Sequence, residues 1–244
     1  MRWISKINEP VAIRDYLAAQ AAVGHGLDYD TFRNTANPLG VGRGRQLREE
    51  LTAEQHGLCA YTGAGIDARL GKLADPANEL KFSSHNEHLK PQSVCRAELI
   101  AAGKTPGVDV GEDMAHTNIV AALLVSGDKK VSADHLFGAS HRGNDPVPIW
   151  PTNPTCEARF NYTESVEIHA TDAADVDACE TIRVLNLKHE TLRGWRAEAI
   201  NAFVEGIESR ADAERIITVT TTPQHGWLPE YCFAIRQVVE RMIA

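Results

Sequence analysis

The sequence predicts an α+β protein that is mostly helical, and three observations carry that prediction. Residues 10–23 and 181–207 space their apolar side chains three or four apart, the period of a helix with one buried face. Leu80-Lys81-Phe82-Ser83-Ser84 alternates apolar and polar, the period of a half-buried strand. Residues 119–125 are a continuous apolar run, which fits a buried strand or a short buried helix, because periodicity does not separate the two.

In chain order, Pro10 suits the first turn of the helix over 10–23, and Gly24-His25-Gly26 ends it. Residues 28–44 are rich in turn formers, with Asn37-Pro38, Gly40, Gly42 and Gly44. Arg33, Arg43, Arg45 and Arg48 read either as a solvated loop entering a helix or as a phosphate-contacting patch. A second helix spans 46–56 and closes at Gly57. A short strand over 58–61 turns at Gly63-Ala64-Gly65, crosses a polar connection over 68–78, and pairs with 80–82 as a long-looped hairpin. Residues 94–102 predict a short helix, 104–112 a loop and 126–130 a turn. Residues 137–154 hold Pro146, Pro148, Pro151 and Pro154 with Trp150, an ordered, packed loop. A hairpin over 160–169 turns at Thr163-Glu164-Ser165. Helices follow over 172–207, interrupted at 186–189, then 209–219 and 229–242. Three regions result: an N-terminal helical segment (1–50), a central region (51–170) and a C-terminal helical region (171–244).

With 43% hydrophobic and 24% charged residues, the composition is that of an ordinary globular protein. No apolar run approaches the length of a membrane span, and the first residues lack an apolar signal core, so no membrane association and a cytoplasmic location are expected. The five cysteines are scattered with no C-x-x-C pair, which argues against a disulfide framework and a tetrathiolate metal site. The net charge of -8 bears on function. Affinity for nucleic acid comes largely from Lys and Arg on phosphates, so an acidic chain acting there must cluster its cations or borrow a partner's surface.

The chemistry-bearing stretch is residues 79–91, ELKFSSHNEHLKP. Glu87 and His88 place a hard oxygen donor beside an imidazole that can take a proton from water near neutral pH. Asn118 stands before the apolar run, and His141-Arg142-Gly143-Asn144 before the Pro-rich loop. Acid-His, then Asn, then His or Asn resembles the order of a ββα-metal (HNH) nuclease site. Phosphodiester hydrolysis needs an activated water and a cation to stabilise charge on the phosphate and the departing oxygen. By themselves, His85 and His116 read as surface and structural residues, and Trp3, Trp150, Trp195 and Trp227 as core or interface anchors.

The local sequence goes further. Gly57-Leu58-Cys59-Ala60-Tyr61, Glu87-His88-Leu89-Lys90-Pro91, Asn118-Ile119, Arg142-Gly143-Asn144, Pro148-Ile149-Trp150-Pro151, Phe160-Asn161-Tyr162 and Thr181-Ile182-Arg183-Val184-Leu185-Asn186-Leu187 resemble the PtuB-like HNH endonucleases of Septu-type and retron-associated anti-phage systems. The resemblance covers roughly residues 45–200. It implies an HNH (ββα-metal) nuclease core over 51–170, with helices before and after. It implies His88 as general base and Glu87 as metal ligand, or as the group orienting His88. It implies Asn118 as the residue fixing the His88 loop, and Lys90 and Arg142 as phosphate contacts. His141 is the third metal-side residue, with Asn144 as rival and His135 if the register shifts. The implied ion is Mg²⁺, with Mn²⁺ able to substitute. The implied partners are a PtuA-like ATPase, nucleic acid (DNA or RNA), and in retron systems a reverse transcriptase with its RNA–DNA product. Relatives look as if paired cysteines clamp the fold with zinc. Here Thr62 and Gly138-Ala139-Ser140 break both pairs, so structural zinc is not expected. The same loss motivates an alternative, a decayed HNH domain acting as an adaptor bound to an ATPase.

Overall fold

A computed structural model describes residues 1–70, 73–75, 80–126, 132–163 and 165–244. The protein is α+β and mostly helical. The N-terminal helices are α1 (Val11–Gln20), α2 (Tyr29–Arg33) and α3 (Arg43–Glu54), followed by α4 (Ile66–Arg69). Next come β1 (Leu73–Asp75), β2 (Leu80–His88), α5 (Gln92–Ala101) and β3 (Ile119–Ser126). A one-turn helix α6 (Ala139–Arg142) precedes β4 (Phe160–Tyr162) and β5 (Ile168–Ala170). The chain closes with α7 (Val176–Val184), α8 (Glu190–Val204), α9 (Arg210–Thr221) and α10 (Cys232–Ile243).

The apolar run over 119–125 is a strand. It pairs antiparallel with β2 at every position from Lys81↔Ser126 to His88↔Ile119. Among the described residues, the sheet order is β1-β2-β3, and β4-β5 forms a separate two-stranded sheet. Burial on both faces explains the unbroken apolar run: Ile119, Val120, Ala121, Ala122 and Leu123 are all buried.

The hairpin expected between 58–61 and 80–82 does not form. Leu58, Cys59, Ala60 and Tyr61 are all buried, so the segment has no solvent-facing side and runs as a tight turn under β3. Its backbone bonds go elsewhere: Ala60 N–H donates to Ala121 O at 3.1 Å. Gln55 Nε2 donates to both Leu58 O and Ala121 O at 2.8 Å. Gly57 and Gly63 have φ of +83° and +77°, and they reverse the chain at either end. The turns expected at 126–130 and 163–165, and the connection over 68–78, lie partly outside the described residues.

α3 begins at Arg43, three residues before the expected start, and runs through residue 50, so the first regional boundary falls inside a helix. Leu47 and Leu51, one helical turn apart, are fully buried, a burial that contributes about 1.5–3 kcal/mol each. One core gathers residues from Met1 to Val239. The interruption expected at 186–189 separates α7 from α8, with Asn186 at φ +45°. His116 ties the N-terminal segment to β3. Its Nε2 lies 2.7 Å from Glu54 Oε1, and Lys6 Nζ donates to Glu54 Oε2 at 2.6 Å and Ile119 O at 2.7 Å.

The four arginines near residues 33–48 differ in exposure, with Arg43 buried and Arg33 and Arg45 exposed. Arg43 donates to Ala12 O at 3.2 Å and lies over the Tyr16 ring. Arg33 pairs with Asp30 and Arg45 with Glu49, while Arg48 donates to Ser84 O. No helix among the described residues is long and apolar enough to cross a membrane.

Candidate functional site

Glu87 and His88 are consecutive residues of a regular strand, so their side chains leave β2 on opposite faces. The shared point for metal and base that their adjacency suggests is therefore not formed, and their side chains meet different partners. His88 meets the Tyr29 ring edge-on, centroids 4.4 Å apart, and its Nε2 lies 2.9 Å from Asp113 O. A carbonyl only accepts, so Nε2 carries the proton and Nδ1 keeps the lone pair. The residue is 8% exposed, and burial lowers its pKa below the usual 6.5, holding the imidazole neutral.

Glu87 faces a different group. Its Oε1 accepts from Arg142 Nη1 and, at 3.3 Å, from the Tyr61 hydroxyl. Burial, with Glu87 beside it, pushes the Tyr61 pKa up and keeps its hydroxyl protonated.

Arg142 is not placed to meet phosphate. It is 3% exposed, and besides Glu87 it donates to Tyr61 OH at 2.8 Å, His88 O at 2.7 Å, Leu89 O at 2.6 Å and Asp145 O at 2.8 Å. One guanidinium thus staples the end of β2 to α6 and to the Tyr61 turn. Lys90, half-buried, spends its ammonium on Glu112 at 2.6 Å and Glu98 at 2.9 Å. Those two carboxylates raise its pKa above the ordinary lysine value.

Asn118 grips the turn that follows His88. Its Oδ1 accepts from Lys90 N–H at 2.7 Å, and its Nδ2 donates to Lys90 O at 3.2 Å and Glu112 O at 3.1 Å. The amide is 1% exposed, so Asn118→Ala strands several buried polar groups. The expected cost is about 1–3 kcal/mol, read as a lower urea midpoint at unchanged slope. An unchanged midpoint would remove Asn118 as the tie.

His141 stands apart from Glu87. Its Nδ1 lies 2.8 Å from Val184 O. It lines a cavity of about 480 Å³ with Asp134, Cys179, Arg183, Asn186 and Lys188, and neither Glu87 nor His88 belongs to that lining. Asn144 is exposed, and His135 sits half-buried in the turn Ala133–His135. Among the described residues no three His, Cys, Asp or Glu side chains converge as a metal-ligand cluster.

Sequence reasoning missed Tyr29, Asp113 and the part played by His85. Tyr29 reaches His88 from α2 and Asp113 from the helical turn Glu112–Met114, both distant in sequence, and nothing local announces them. His85 had a signal: two residues before Glu87 in a strand, it shares that face. The chain matches no protein-family model and no curated protein.

Proposed function

We propose that this protein is a metal-dependent HNH endonuclease that hydrolyses phosphodiester bonds in nucleic acid, an effector of anti-phage defence working with a PtuA-like ATPase. The observation that carries the reading is the state of His88, a neutral imidazole whose tautomer is fixed by the Asp113 carbonyl, with Nδ1 left as the base. Asn118 holding the turn after His88 matches the role the resemblance implies for it. β2 and β3 pair as antiparallel strands and α6 follows β3, with α5 inserted between the two strands. Thr62 and Gly138, which break the relatives' cysteine pairs, lie side by side: a Cβ on Gly138 would sit 3.2 Å from Thr62 Cγ2.

In this mechanism His88 Nδ1 takes a proton from the attacking water. Arg142 and Tyr61 hold Glu87 in one orientation. Glu87, on the opposite face of β2, would hold a divalent ion whose charge would stabilise bound phosphate. The acidic chain leaves much of the substrate-binding surface to the ATPase.

A second reading, the adaptor without catalysis, is favoured by one observation: the opposite facing of Glu87 and His88. Incubating the chain and its ATPase partner with DNA and RNA, in Mg²⁺ or Mn²⁺ and with chelator, separates the two. Cleavage abolished by chelator is expected. An intact complex that cuts neither substrate under any condition would leave the adaptor.

A further inference from the structure

His85 shares the Glu87 face of β2, since one residue separates them. The His85 side chain is 31% exposed and that of Glu87 13%. His85 Nε2 lies 3.0 Å from Glu87 Oε2. That nitrogen is nevertheless buried and out of hydrogen-bond alignment with any partner. Arg142 and Tyr61 occupy the other carboxylate oxygen, so Oε2 stays turned toward the imidazole. Two donor atoms at this separation with no hydrogen bond between them have the spacing of neighbouring ligands on one ion. Octahedral bonds of about 2.1 Å at right angles put their donors about 3.0 Å apart.

We propose that His85 Nε2 and Glu87 Oε2 are the protein ligands of a divalent-metal site on the face of β2 opposite His88, and that this site holds Mn²⁺ more tightly than Mg²⁺. Two protein ligands leave positions for water and phosphate oxygens, which suits an ion that must also touch substrate. The imidazole sets the preference, because nitrogen donors favour transition-metal ions and Mg²⁺ favours oxygen. Arg142 offsets part of the carboxylate charge through Oε1 and leaves Oε2 to the ion. His141 is no competitor for this position, since its Nδ1 is on Val184 O and it faces another cavity.

The link from this site to cleavage rests on the nuclease reading; metal binding is read separately. The test titrates Mn²⁺ and Mg²⁺ into the full chain by calorimetry and records electron spin-echo modulation of bound Mn²⁺. The variants are His85→Ala, His85→Gln and His141→Ala, each checked by thermal melting. Expected are tighter Mn²⁺ than Mg²⁺ binding and an imidazole-nitrogen modulation in the wild type. Both His85 variants should weaken Mn²⁺ binding about 10–100-fold and lose the modulation. His141→Ala should bind as the wild type does. Unchanged binding in the folded His85 variants overturns the proposal. So does a wild type that takes up no Mn²⁺ at millimolar concentration, or that prefers Mg²⁺. Binding as expected, in a chain that cuts no nucleic acid with its partner, supports the site and removes the nuclease reading.

Discussion

Replacing His88 with alanine is expected to lower cleavage by about 10²–10⁴-fold, the ordinary contribution of a positioned general base. The fold should survive. The variant leaves Asp113 O without its donor and a void beside Tyr29, at a cost of about 1–3 kcal/mol. A urea titration run beside the cleavage assay separates lost chemistry from lost structure. Undiminished cleavage by a folded His88→Ala protein would refute the assignment.

The pH dependence follows from the same burial. The folded pKa of His88 lies below its ordinary value of 6.5, so the base stays neutral to lower pH than a free imidazole does. The acid limb of the rate profile should therefore fall below pH 6.5. Between the lowered value and 6.5 the unfolded chain binds the proton and the folded one does not. Stability therefore drops as pH falls through that window and stops changing below it. His88→Ala should remove that part of the acid loss.

Arg142→Ala is expected to be the most destabilising single change at the site. It takes the donor from Glu87, from Tyr61 OH and from the carbonyls of His88, Leu89 and Asp145 at once. Breaking a buried ion pair from one side costs about 3–5 kcal/mol. In a domain of this size that lowers the melting temperature by about 6–20 °C. Arg142→Lys should fall between, because an ammonium can satisfy Glu87 but lacks the fork that reaches Leu89 O and Asp145 O together. A phosphate-contacting arginine would behave otherwise, leaving stability alone and weakening substrate binding with a salt dependence. Calorimetric melts of the two variants decide the matter. A melting temperature within about 2 °C of wild type for Arg142→Ala would show that the staple carries little.

His85 shows how near the surface of the sequence some of the site lay. Its partnership with Glu87 follows from the two-residue period of a strand, and that strand was legible in residues 80–84. Tyr29 was not, because it reaches His88 from a five-residue helix that nothing in its own sequence ties to β2. The segment over 58–61 misled for a related reason. Four apolar-leaning residues between glycines fit a strand as well as a buried turn, and only the Gln55 and Ala121 bonds choose.

Local order determined what the sequence alone could settle: the helix-rich α+β class, the strand that ends in Glu87-His88, and the break between α7 and α8. Those features arise from periodicity and turn chemistry among near neighbours. Tertiary structure alone decided that the run over 119–125 is a strand, that Arg142 is a buried staple, and that His141 faces away from Glu87. Each depends on which distant backbone groups need a partner, and a chain read residue by residue does not contain that.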